Sequence, residues 1–209
     1  MSKLHQSFAG LQPKKSQIYS LTLVFLCLEG LMAFGNHSYA MSWEVDKANS
    51  QVLFQTQGAL QVNGGFKDYT ALINGDLSGD PSRIDLKITI ATESIFTGST
   101  VQERYLKSET FFNAQQYPEI EFKSIKVTRQ NLTHGTIYGN LTMRGITKPA
   151  TFEVTLELPK YDAKTRCASI YVNAESAIDR DKWGMDTYIP GVEKLIKIRA
   201  NGILKARCG

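Results

Sequence analysis

From Trp43 onward the chain alternates apolar and polar residues with a period of two. Ile84, Leu86, Ile88 and Ile90 take turns with Asp85, Lys87 and Thr89, and Phe152, Val154, Leu156 and Leu158 with Glu153, Thr155 and Glu157. Ile170, Val172 and Ala174 repeat the pattern against Tyr171 and Asn173, as do Ile196 and Ile198 against Lys197 and Arg199. Successive side chains of a strand point to opposite faces, so this pattern describes strands with one buried and one wetted face. Gly and Pro interrupt the runs at Gly64-Gly65, Gly75, Gly79-Asp80-Pro81, Gly98, Gly135, Gly145, Pro149 and Gly191, which keeps the strands short and numerous. About eight are expected, at 43–46, 50–57, 65–77, 82–94, 119–129, 135–144, 149–160 and 166–178, with a further closing strand at 194–207. The predicted fold is all-β: an antiparallel eight-stranded barrel, in which closure removes the exposed sheet edges.

One stretch breaks the alternation. Between Val101 and Asn113, Gln102, Glu103, Arg104, Lys107 and Glu109 surround Leu106 and the Phe111-Phe112 pair, after the turn Gly98-Ser99-Thr100. That is the pattern of a short amphipathic helix, with Ser99 or Thr100 as N-cap, inserted between strands where it can cover an opening.

An outer-membrane barrel shares the alternation but turns its apolar series toward lipid, and it needs longer strands and aromatic girdles. The Lys and Glu crowding the polar series here suit an ordinary solvated exterior.

The first forty residues read differently. Lys3, Lys14 and Lys15 precede an apolar run from Ile18 to Leu28, and Ser38-Tyr39-Ala40 supplies small residues for cleavage, so residues 1–40 are expected to be a removable export signal. Residues 41–209 would then form one domain, delivered to the periplasm or secreted. Without the leader's three lysines and one glutamate, 21 basic and 19 acidic residues remain, a net charge of +2, which gives no footprint for nucleic acid. Cys167 and Cys208 remain as well. An oxidising compartment and a hairpin joining the last two strands favour a disulfide between them. Side-chain parity argues the other way, placing Cys167 in an outward series and Cys208 in an inward one.

Candidate chemistry is sparse. His134, beside the turn at Gly135, is the one histidine after the leader; metal-site spacings and a Gly-x-Ser-x-Gly elbow do not occur. Glu93-Ser94 and Asp179-Arg180-Asp181 could host acid–base chemistry, although strand-end solvation explains them as well. The expectation is a protein that is not an enzyme. What remains is apolar: an eight-stranded barrel is wide enough either to fill with its own side chains or to hold one small ligand.

Several segments, in order, resemble the YceI-like family of secreted, lipocalin-like barrels that bind polyisoprenoid lipids. They are Trp43-Glu-Val-Asp-Lys-Ala-Asn-Ser50, Gly64-Gly-Phe-Lys-Asp-Tyr69, Gln102-Glu-Arg-Tyr-Leu-Lys-Ser108, Tyr117-Pro118 through Phe122-Lys-Ser124, and Gly139-Asn-Leu-Thr142 through Gly145-Ile-Thr-Lys-Pro149. The chain departs from the family pattern in a shorter stretch between Phe54 and Gly64, in Tyr105 where the helix usually has histidine, and in Ile178-Asp-Arg-Asp-Lys-Trp-Gly184.

The resemblance implies non-catalytic binding of an isoprenoid, a quinone-like lipid or a similar long-chain amphiphile in a barrel cavity, for transport or storage in the periplasm. No cofactor is implied beyond that lipid. Transient membrane contact and a homodimer are compatible with such a carrier. By analogy and alternation, Phe54, Phe66, Ile88, Ile90, Phe111, Phe112, Phe122, Leu141, Val154, Ile170 and Trp183 are expected to line the cavity. Arg104 and Arg180 are candidates for a head-group contact, or else for ion pairs with Glu103, Glu109, Asp179 or Asp181. The alternative reading is a stress-related protein-interaction module with a filled core.

Overall fold

A computed structural model describes residues 41–187 and 191–207 of the chain. The expected leader, residues 1–40, lies outside the described residues, as does Cys208. Among the described residues there are eleven strands: β1 (Ser42–Thr56), β2 (Asn63–Phe66), β3 (Tyr69–Asn74), β4 (Asp85–Ala91), β5 (Ile95–Phe96), β6 (Glu119–Arg129), β7 (His134–Met143), β8 (Ile146–Leu156), β9 (Lys160–Asp162), β10 (Cys167–Asp179) and β11 (Leu195–Ala206). One helix, α1 (Thr100–Lys107), lies between β5 and β6.

The hydrogen-bonded order β1-β3-β4-β6-β7-β8-β10-β11, with β11 pairing back onto β1, closes an antiparallel barrel of eight strands. The short strands β2, β5 and β9 hang on this ring. Apolar residues of the alternating series face the inside, with Trp43, Ile73, Leu86, Ile120, Phe122, Leu141 and Leu204 all buried. The outside carries ion pairs such as Lys87–Glu121 at 2.5 Å, Lys123–Glu121 at 3.0 Å and Arg199–Glu175 at 2.9 Å. Half-exposed pairs of this kind add little stability, but they mark a face that meets water.

The expected strands 43–46 and 50–57 are one strand with a defect. Register against β11 shifts between Val45 and Ser50, where Asp46 accepts the Ala48 N–H and the Asn49 amide and pairs with Lys205 at 2.8 Å. A bulge bends a strand. Below it β1 pairs with β3 through Trp43↔Ile73, and above it with β2 through Val52↔Phe66 to Gln55↔Asn63. The expected strand 65–77 splits as well, at Lys67 and Asp68, and the expected strand 82–94 is trimmed to β4 by the 3₁₀ turns Pro81–Arg83 and Thr92–Ser94 on either side of it. Leu158, assigned to the inward series by parity, lies beyond the end of β8 and is 66% exposed.

The expected helix over 101–113 stops at Lys107. Ser99 caps its start, accepting from the Gln102 N–H, and Glu103 reaches back to accept from the Thr97 N–H at 2.9 Å and the Gly98 N–H at 3.2 Å. Ser108 then leaves helical geometry and Asn113 takes a left-handed turn at φ 48°, so Phe111 and Phe112 are presented by a turn.

The two ends of the barrel differ. At one end Arg129 donates to the carbonyls of Leu77, Ser78 and Gly79, tying the β3–β4 loop across the opening. Trp43 is buried there, its indole N–H on the Gly75 carbonyl at 3.1 Å. The other end is bordered by α1, the β1–β2 loop and the segment after β10, and it is open.

Candidate functional site

Behind the open end lies a cavity of about 730 Å³. Strand alternation aims one series of each strand into it: Val52 and Phe54 from β1, Phe66 from β2, Ile88 and Ile90 from β4, Phe122 from β6, Leu141 from β7 and Ile198 from β11. Phe111 and Phe112 enter from the turn after α1, and Leu106 and Tyr105 from the helix itself. The aromatics touch in series, with Phe54–Phe66 and Phe66–Phe112 ring centroids 5.9 Å apart and Phe122–Phe152 at 5.0 Å. Edge and tilted contacts of this sort hold rings in fixed orientations and so set the shape of the wall.

A second chamber of about 140 Å³ lies toward the closed end, lined by residues including Tyr69, Ile73, Ile84, Leu86, Val154, Leu156 and Leu204. Val52, Ile88 and Ala200 line both. The Tyr69 hydroxyl is buried and lacks a hydrogen-bond partner, and burial raises its pKa.

Of the residues expected to line a cavity, Phe54, Phe66, Ile88, Ile90, Phe111, Phe112, Phe122 and Leu141 stand in the wall of the large chamber, and Val154 in the small one. Two stand in neither. Ile170 is buried near the closed end, opposite Leu204. Trp183 is 2% exposed in the 3₁₀ turn Arg180–Trp183, its indole N–H directed to the Leu141 carbonyl at 3.3 Å, so it props the wall from behind.

The two arginines expected at a head group are also placed differently. Arg104 projects into solvent from α1 and is absent from the wall. Arg180 borders the cavity but is 3% exposed, and its guanidinium donates to the carbonyls of Met185, Thr187, Val192 and Glu193. Four of its five donors are spent on the loop that forms one side of the mouth, and the ion pairs considered for it are replaced by these carbonyl contacts. Burial lowers its pKa, opposed by Asp181 and then Asp186, and a guanidinium in a protein keeps its proton.

The wall residues that sequence reasoning missed include two groups besides those on the helix. Ile196 and Ile198 carried the alternation signal, and Ala200 continues it as a small residue. Met185, Val192, Ala59, Leu60 and Val62 sit in loops where no periodicity applies.

Several polar side chains are paired within the protein. Thr56 Oγ1 accepts from the Val62 N–H at 2.7 Å and donates to the Leu60 carbonyl at 3.4 Å. Glu93 pairs with Lys107 at 3.2 Å and Asp179 with Lys182 at 2.9 Å, and neither faces the cavity. His134 contacts Asn131 and Thr133 at the β6–β7 turn. Among the described residues no cluster of metal-ligating side chains occurs. Cys167 is disulfide-bonded at the start of β10, and Cys208, its expected partner, lies outside the described residues. Around the opening Leu60, Val101 and Tyr105 are 57%, 73% and 43% exposed while also lining the cavity, which gives the mouth an apolar rim.

A family model described as YceI-like domain matches residues 43–203. A UPF0312 protein of Yersinia enterocolitica is 27% identical over 143 residues, 66% of this chain and 73% of that one. Among solved structures, BcnA of Burkholderia cenocepacia superposes with a TM-score of 0.67 at 20% identity, over 76% of this chain and 98% of that chain. A polyisoprenoid binding domain from Saccharophagus degradans, implicated in plant cell wall breakdown, superposes with a TM-score of 0.57 at 12% identity, over 80% and 99%.

Proposed function

The chain belongs to the YceI-like domain family, and on that premise we propose that it binds an isoprenoid or similar long-chain amphiphilic lipid inside the barrel, without chemistry. The observation that carries the reading is the cavity of about 730 Å³ walled by aliphatic and aromatic side chains, whose bordering arginine and threonine are already satisfied by the protein. Such a wall offers a ligand burial of hydrocarbon and little else, at about 25 cal/mol per Å² of apolar surface removed from water. A neighbour in fold that is a polyisoprenoid binding domain supports the ligand class.

A chain of this chemistry is nearly insoluble, so its carrier has to collect it from a bilayer. The exposed apolar rim of Leu60, Val101 and Tyr105 suits brief contact with a membrane surface. The leader read in residues 1–40 would put this exchange in the periplasm, where transport and storage are the two uses of an enclosed lipid.

The test is native mass spectrometry of the protein purified from the periplasm, with release and identification of any bound mass. A homogeneous adduct fragmenting as an isoprenoid is expected. An empty cavity, persisting after incubation with quinones and polyprenols, would discard the carrier reading in favour of a protein-interaction module. The same spectrum gives the number of chains per particle.

A further inference from the structure

The two chambers inside the barrel meet at a level where one wall is bulky and the other is small. Ile88 on β4 pairs across the sheet with Phe122 on β6, and both line the large chamber. On the wall three strands further round, the cross-strand row is Val52↔Ala200↔Ala174↔Val154, with two alanines at its centre. Val52, Ala200 and Ile88 border both chambers, while Ala174 and Val154 border only the inner one. Any larger side chain at Ala200 would project from its wall into the passage that Ile88 already narrows from the other.

We infer that the side chains bordering both chambers, Val52, Ile88 and Ala200, with Ala200 the smallest of the three, form a neck that gauges the length of hydrocarbon the barrel accepts. The inference rests on the lipid-carrier reading above and specifies the ligand further. The polar end stays at the mouth, where it meets solvent and where Gln61 and Gln102 belong to the wall. The apolar end enters first, fills the large chamber and, if long enough, threads past Ala200 into the inner one. The inner chamber of about 140 Å³ ends at the plugged side of the barrel, so it takes a short terminal piece and no more. The preferred ligand is therefore an isoprenoid longer than the large chamber can hold.

The neck makes a length-dependent prediction that a general loss of affinity does not. Binding of prenyl alcohols of stepped chain length would be measured by native mass spectrometry and by competition with a fluorescent lipid, for the wild-type protein and for Ala200→Ile. Isoleucine suits a strand and adds bulk only on the inward face. Short members are expected to bind both proteins alike, while the longest members accepted by the wild type lose at least about tenfold with Ala200→Ile, since a few methylenes are denied burial. Ala174→Val, one strand away, provides a second obstruction should Ala200→Ile fold poorly, and Ala200→Gly is expected to leave the longest members bound. An equal loss for every length, or none for any, would overturn the neck and leave the carrier reading standing. If the wild-type protein bound no member of the series, the carrier reading and the neck would fall together.

Discussion

The ring of Phe122 on β6 lies over the α-carbon of Gly139 on β7, so close that a β-carbon at that position would collide with it and with the Lys123 carbonyl. Phe54 covers Gly64 in the same way, and those two are direct cross-strand partners. An aromatic ring laid across a strand glycine shields backbone that would otherwise be bare and holds the ring flat to the sheet. In this barrel the two covering rings are also cavity walls.

Gly139→Ala should therefore act on stability and on the cavity together. The methyl group has to displace the Phe122 ring or part the β6–β7 ladder, a cost of about 1–3 kcal/mol. Urea unfolding would show a lower midpoint with unchanged slope, and ligand occupancy would fall because a displaced Phe122 turns toward the neck. A midpoint equal to wild type would mean that the ring has another low-energy position.

Tyr69→Phe is expected to stabilise the empty protein. The hydroxyl is buried without a partner, and removing an orphaned polar group relieves a desolvation cost of about 1–3 kcal/mol. The ring, which packs in the core near Ile73 and Leu86, is kept. A raised thermal midpoint checks this; a lowered one would show that the hydroxyl has a partner, such as a buried water.

Arg180→Met keeps the unbranched apolar stem of the side chain while leaving the carbonyls of Met185, Thr187, Val192 and Glu193 without their donor. The expected loss is about 3 kcal/mol or more, since hydrogen bonds to a charged group contribute about 1.5–3 kcal/mol each. Hydrogen exchange should rise first in residues 185–187 and 191–194, at the mouth, and ligand should dissociate faster. Arg180→Lys should recover only part, because an ammonium cannot reach four carbonyls as a planar fork does.

Acid should loosen the start of α1. The bond from the Thr97 N–H, then that from Gly98, hold the Glu103 carboxylate below its ordinary value of 4.5, with Lys67 and Lys107 adding attraction. A carboxylate whose folded pKa lies below its unfolded one gives its full stabilisation above the unfolded value and loses it as pH falls through the folded one. Amide protection over residues 97–107 should hold at neutral pH and decline only on the acid side of 4.5. In Glu103→Gln that decline should vanish, with protection already reduced at pH 7; a decline that persists would belong to another group.

The barrel was legible because period two is a property of the strand itself. Knowing that Ile88, Phe122 and Leu141 point inward requires nothing beyond their neighbours in sequence. Height along the barrel is another matter. Ile170 points inward like Val154 but sits at the closed end, opposite Leu204, and parity carries no information about that. Trp183 leaves the strand pattern for a 3₁₀ turn, where its indole finds the Leu141 carbonyl rather than the cavity. The bulge at Asp46–Asn49 depends on a carboxylate bonding its own backbone and Lys205 across the sheet, so two short strands and one bent strand look the same along the chain. Met185 and Val192 reach the mouth because Arg180 holds their loop, a contact between positions with no periodic relation.

Arg129, Arg144 and Arg180 each grip a connecting segment by main-chain oxygens alone: the β3–β4 loop, the turn carrying Phe111, and the loop before β11. Every residue type supplies the same carbonyl. At the mouth, where Arg144 and Arg180 do this, side chains are released from part of the duty to hold the chain in place, and substitution there can retune the entrance for a different lipid while its frame stays where two guanidinium groups put it; Arg129 does the same for the closed end.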